Sequence, residues 1–174
     1  MKMMIGVAAL AVASLGVTMP AAAETYFSGG LGVETMDINV SGLSEASIPV
    51  ATARFGWRSA SWYGVEGDLT FGLSSDEVDP SIEVSINSAA YIYGVAFFPV
   101  GEKVELIARV GYGHQATDVE AFGSKETAND GAVSYGVGAT YNLNGRNSLR
   151  VDYTIFDIED VDAAAATLSF VRSF

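Results

Sequence analysis

The sequence predicts an all-β chain, an eight-stranded antiparallel up-and-down barrel crossing an outer membrane, preceded by a cleaved signal peptide. Three observations carry that prediction: repeated alternation of apolar and polar residues, an N-terminal secretory segment, and a last strand that ends on an aromatic, Phe174. The alternation is plainest from Trp62 to Ser74. Tyr63, Val65, Leu69, Phe71 and Leu73 fall on one face, and Gly64, Glu66, Asp68, Thr70 and Gly72 on the other. Period two means a strand with two different faces. Carboxylates in mid-strand do not suit an apolar core unless paired, but they can line the polar lumen of a barrel whose apolar face meets lipid.

The secretory segment covers residues 1–23. Met1-Lys2 is a short positive start, Met3 to Met19 an apolar run, and Pro20-Ala21-Ala22-Ala23 a small-residue cleavage site. A retained anchor fits less well, because the run is at the short end of the roughly 17–25 residues that span a bilayer and no basic cluster follows it. Residues 24–174 then form one barrel domain, long enough for eight strands of about 9–11 residues with their connections. The chain has no cysteine, so thiol chemistry and disulfides are excluded.

Nine basic residues stand against 21 acidic ones, a net charge of −12. Nucleic acid is excluded as a partner, because its binding needs basic patches. The acids crowd the expected outer loops: Asp76, Glu77 and Asp79; Asp118, Glu120, Glu126 and Asp130; Asp157, Glu159, Asp160 and Asp162. A solvated surface accounts for them, a cation-bridged cell surface is the alternative, and these loops are the candidates for holding an extracellular ligand.

The strands follow in order. The first, about Thr25 to Thr35, sets Phe27, Leu31 and Val33 against Ser28 and Glu34. In the second, about Ile48 to Ser59, Ala51, Ala53, Phe55 and Trp57 face out and Thr52, Arg54, Gly56 and Arg58 face in. The third is the stretch above. The fourth, about Val84 to Phe98, is expected to turn Ala89, Tyr91, Tyr93, Val95 and Phe97 outward, although its other face is also small or apolar. The fifth opposes Val104, Leu106, Ala108, Val110 and Tyr112 to Glu105, Ile107 and Arg109. The sixth opposes Val133, Tyr135, Val137, Ala139 and Tyr141 to Ser134, Gly136, Gly138 and Thr140. In the seventh, Leu149, Val151, Tyr153 and Ile155 oppose Ser148, Arg150, Asp152 and Thr154. Ala163 to Phe174 is the eighth.

Tight turns are expected at 59–61, 99–102 and 142–147. The last contains Asn144-Gly145, a strong hairpin signal because a type I′ turn needs positive φ at both central positions. Longer connections are expected around 36–47, 75–83, 114–131 and 156–162. Short periplasmic turns and longer external loops are the usual asymmetry, which places both termini in the periplasm. Outward aromatics should form two girdles at the membrane boundaries: Phe27, Trp57, Tyr63, Phe97, Tyr141 and Phe174 below, and Phe71, Tyr112 and Tyr135 above.

Ala89-Ala90-Tyr91 leading to Pro99-Val100-Gly101-Glu102-Lys103, then Ala108-Arg109-Val110-Gly111-Tyr112-Gly113, then Leu168-Ser169-Phe170-Val171-Arg172-Ser173-Phe174, together resemble the small outer-membrane β-barrel families. These are the eight-stranded porin-like or opacity-type surface proteins and the membrane domain of outer-membrane protein A. The resemblance implies that Phe170 and Phe174 belong to a signal read by the barrel-assembly machinery; Arg172 departs from it, where an apolar or aromatic residue is usual. It also implies a lumen filled by a salt-bridge network.

The inward positions suit such a plug. Glu34, Glu66, Asp68, Glu105 and Asp152 nearly balance Arg54, Arg58, Arg109 and Arg150, and an eight-stranded barrel is just wide enough for side chains to fill. A selective channel is the alternative use of the same charges. Catalysis would need a nucleophile with a base. The single histidine, His114, lacks the His-x-Ser pattern of the lipid A deacylase family, although Ser134 on the next strand is a candidate neighbour. No spacing suits a metal, and no glycine-rich piece precedes a helix, so no cofactor is expected. The expectation is therefore a monomeric, non-enzymatic surface protein in outer-membrane lipid, serving envelope integrity or loop-mediated adhesion. A narrow solute channel and a lipid A-modifying enzyme are the alternatives. A soluble lipocalin-like barrel would bury the apolar face instead.

Overall fold

Residues that alternate in character can satisfy two media at once only if the sheet closes on itself. In the computed structural model this closure is complete. Residues 23–38, 46–59, 62–79, 82–121, 124–158 and 161–174 are described; the expected signal segment, apart from Ala23, lies outside them. The strand segments are β1 (Glu24–Ile38), β2 (Ala46–Arg58), β3 (Tyr63–Gly72), β4 (Ser75–Asp79), β5 (Ile82–Pro99), β6 (Val104–Ala121), β7 (Ser124–Asn144), β8 (Asn147–Ile158) and β9 (Val161–Ser173). Chain neighbours pair antiparallel except β3 and β4, which both pair with β5, and β1 also pairs with β9. Because β3 and β4 lie in succession along β5, they are two lengths of one stave, and nine segments make an eight-stranded barrel. Closure removes every edge within the ring, so each ladder can satisfy its backbone without water.

The alternation sorts side chains as the medium requires. Along β8, Ser148, Arg150, Asp152, Thr154 and Phe156 are buried while Leu149, Val151, Tyr153 and Ile155 are exposed. The tight turns lie at the end where β1 begins and β9 ends, called the terminal end below. Ser59 N donates to Tyr63 O at 3.0 Å and Val100 N to Val104 O at 3.0 Å. Asn144 Oδ1 accepts from Arg146 N and Asn147 N at 3.2 and 3.1 Å, an Asx-type turn. The barrel closes there when Phe174 N donates to Thr25 O at 3.0 Å.

Two expectations are corrected. The fourth predicted strand has the opposite parity: Ala89, Tyr91, Tyr93, Val95 and Phe97 are buried, while Ile92 is 68% and Phe98 48% exposed. Register explains it. Tyr93 lies opposite Glu66 and Tyr91 opposite Asp68, and directly opposite residues share a face, so the tyrosines must follow the carboxylates into the lumen. Phe97 consequently leaves the girdle at the terminal end, and Phe98 replaces it.

The second correction concerns the long connections, of which 75–83, 114–131 and 156–162 are mostly strand among their described residues. β6 runs to Ala121 and β7 starts at Ser124, with Asp118 paired to Thr127. β4, β8 and β9 likewise extend into 75–83 and 156–162, and β1 and β2 into 36–47. A ladder outside the hydrocarbon layer needs backbone partners but no apolar face, so polar residues do not end it. The side chains of Glu77, Asp79, Glu120, Glu126, Asp130, Glu159 and Asp160 lie outside the described residues.

Candidate functional site

The lumen has two layers. Toward the terminal end it holds the charged network, and toward the far end it is mostly apolar, with Glu34 and Gln115 buried in it. Arg54 on β2 is opposite Asp68 on β3 and forks onto it, Nε to Oδ1 at 2.7 Å and Nη2 to Oδ2 at 2.8 Å. Its Nη1 reaches across to Asp152 Oδ2 at 3.1 Å. Arg109 adds Nη1 to Asp68 Oδ2 at 2.7 Å and Nη2 to Thr154 Oγ1 at 2.6 Å, with its guanidinium 4.3 Å over the Tyr93 ring. Arg150 donates Nε to Asp152 Oδ1 at 2.8 Å and Nη2 to Glu66 Oε2 at 3.2 Å, and its Nη1 and the Tyr26 hydroxyl both donate to Glu66 Oε1. Bidentate guanidinium–carboxylate pairs are among the strongest and most directional hydrogen bonds available.

Three arginines thus face three carboxylates. Arg54 is 1% and Glu66 0% exposed, so the charges neutralise one another out of reach of water. Two glycines make the room. A Cβ on Gly138 would lie 2.7 Å from Asp152 Oδ1, and one on Gly56 would fall 2.1 Å from the Tyr26 ring.

The other predicted lumen charges sit apart. Arg58 and Glu105 form their own fork nearer the terminal end, Nη1 to Oε1 at 2.9 Å and Nη2 to Oε2 at 2.7 Å, and are partly exposed. Glu34 joins no arginine. It is buried in the far layer and accepts from Gln115 Nε2 at 2.8 Å. That layer, which sequence reading missed, packs Met36, Ile48, Val50, Val84, Ile86 and Phe156 inside the barrel. The signal was present in Ile48 and Val50, which keep the parity of Arg54 on the same strand.

A vestibule of about 450 Å³ opens at the terminal end, with Tyr26, Ile107 and Arg150 among its walls. Deeper in the lumen, a void of about 20 Å³ lies among Glu34, Arg54, Asp68 and Arg109. That is room for about one water molecule.

The structure does not bring His114 and Ser134 together. His114 is exposed on the outer surface against Tyr112. Ser134 is buried in the lumen and donates to the Tyr93 hydroxyl at 3.1 Å. They occupy opposite faces of the sheet, so His114 does not reach that serine. Among the described residues no group of three or more His, Cys, Asp or Glu side chains could hold a metal. Phe170 and Phe174 are exposed on the outer face of β9 and just beyond its end.

The outer membrane protein beta-barrel domain family matches residues 6–174. The chain belongs to that family. It is accordingly an integral outer-membrane barrel, and a soluble lipocalin-like fold is excluded. No curated protein sequence matches it. Among solved structures it is similar to Ail, the attachment invasion locus protein of Yersinia pestis, at a TM-score of 0.63 and 19% identity over 87% of this chain and 98% of that one. Neisserial surface protein A follows at 0.66 and 11%, covering 86% and 97%. OprG from Pseudomonas aeruginosa gives 0.63 and 14%, covering 88% and 96%. At these identities the likeness is one of fold.

Proposed function

We propose that this protein is a non-enzymatic, monomeric outer-membrane barrel, closed internally, that serves envelope integrity or adhesion through its acidic far end. The observation that carries this reading is the filled lumen, a neutral three-arginine, three-carboxylate network beneath an apolar layer. Its guanidinium and carboxylate groups are bonded to one another. The tight turns and both termini then face the periplasm, residues 1–23 are removed on export, residues 24–174 form the barrel domain, and Phe170 and Phe174 present the assembly signal.

Ail has been solved in complex with a heparin analogue, sucrose octasulfate. The far end of this chain is suited to the opposite charge. Asp157 and Asp162 lie directly opposite each other and are exposed, so a cation or a basic partner is the matching ligand class. Cells lacking the protein should leak a periplasmic reporter or attach less to polycation-coated surfaces, with lipid A unchanged. No change in either leakage or attachment would refute the reading. Lipid A whose acylation follows the protein's level would favour an enzyme instead.

A further inference from the structure

Arg172 breaks the apolar pattern that Ala164, Ala166, Leu168, Phe170 and Phe174 keep on the outward positions of the last strand, and neither the plug nor the acidic end uses it. It is exposed on the lipid side of β9, between Phe170 and Phe174 along the strand. Across the sheet it is opposite Phe27 on β1 and Asn147 on β8. Its Nη1 donates to Asn147 Oδ1 at 3.1 Å, which fixes the head group while Nε and Nη2 keep no protein acceptor among the described residues. A guanidinium framed by phenylalanines at the barrel's aromatic boundary can remain only where its charge meets water or an anion.

We propose that Arg172, oriented by Asn147, is a binding site for the phosphate of an anionic membrane phospholipid at the terminal end of the barrel. The chemistry is matched on both sides. The free edge of the guanidinium suits two phosphate oxygens, and the surrounding Phe27, Phe170 and Phe174 suit the upper acyl chains. Charge asymmetry supports the choice. Of the basic residues outside the lumen whose side chains are described, Lys103, Arg146 and Arg172 all lie at this end, in a chain of net charge −12. On the orientation proposed above, this end meets the phospholipid leaflet. The phospholipid as occupant rests on that orientation; the site does not depend on a closed lumen.

The test reconstitutes the full barrel in nanodiscs of equal phosphatidylglycerol and phosphatidylcholine, transfers it to mild detergent, and counts retained lipid by native mass spectrometry. The wild-type protein should retain phosphatidylglycerol about five-fold over phosphatidylcholine, the factor expected from one basic residue near an anionic surface. Arg172→Gln should lose that preference, and Arg146→Gln, in the neighbouring turn, should keep it. If Arg172→Gln fails to fold, Arg172→Lys should fold and show a reduced preference, because it keeps the charge but loses the fork. Equal retention of the two lipids by the wild type, or an undiminished preference in both Arg172 variants, would overturn the site. Loss of the bound lipid to excess inorganic phosphate would also overturn it, as a free-anion site.

Discussion

Replacing Arg54 by Ala should destabilise the barrel more than any other single arginine truncation. Arg54 is the hub of the lumen: its guanidinium is 2.7 and 2.8 Å from the two oxygens of Asp68, 3.1 Å from Asp152 and 3.5 Å from Glu66. Its loss leaves three buried carboxylates facing two arginines, so one negative charge has no compensation. Removing one partner of a buried pair costs roughly 3–5 kcal/mol. Arg109→Ala leaves the same one-charge imbalance but removes fewer contacts, because Asp68 keeps both bonds to Arg54, so it should cost less than Arg54→Ala and fall toward the lower end of that range. Arg146→Ala, in an exposed turn, should stay within about 0.5 kcal/mol of wild type. The assay is urea unfolding in lipid vesicles, followed by Trp57 and Trp62 fluorescence and by the gel shift between folded and boiled protein. Adding Asp68→Asn to Arg54→Ala should recover part of the loss, since the lumen is neutral again. Arg54→Ala no less stable than Arg146→Ala would refute the argument that the network is buried and balanced.

Three further outcomes follow from the same geometry. Ile92→Arg places a charge on the lipid face near mid-strand and should cost about 2–4 kcal/mol, and a cysteine at Ile92 should react with a lipid-phase reagent that leaves one at Tyr93 untouched; the reverse labelling would restore the opposite parity for β5. Gly138→Val should weaken the barrel in the same urea assay, because its Cβ would meet Asp152 Oδ1 at 2.7 Å, while Gly29→Val, with nothing within 4 Å, should not. Deleting Phe174 should lower outer-membrane levels and raise degradation without blocking export, and normal levels of the deletion would remove the terminal aromatic from the assembly signal.

Strands with one polar and one apolar face were readable residue by residue, as from Tyr63 to Leu73 or from Ser148 to Ile155, because lipid and lumen demand opposite chemistry at every step. Where both faces are apolar, alternation does not tell inward from outward. Ala90, Ile92, Gly94, Ala96 and Phe98 are no more polar than Tyr91, Tyr93, Val95 and Phe97, so only the pairing of Tyr93 with Glu66 decides which set turns inward. Strand ends were equally hard to place, since Thr117 and Asp118 continue a backbone ladder with no apolar alternation to mark it. The inward charges of Arg54, Asp68, Arg109, Arg150 and Asp152 could be placed on one face from spacing alone. Their partners could not, because Arg54 to Asp152 spans the lumen between strands far apart in sequence, and Glu34 differs from Glu66 only in what the opposite wall supplies.

The central claim is that this lumen is closed. Planar-bilayer recording of the purified wild-type barrel tests it most directly. The neutral network and the apolar layer above it predict no steady conductance, because about eight strands leave no continuous water path once their side chains fill the interior. A reproducible open state in the wild-type protein would contradict the plug and promote the narrow channel.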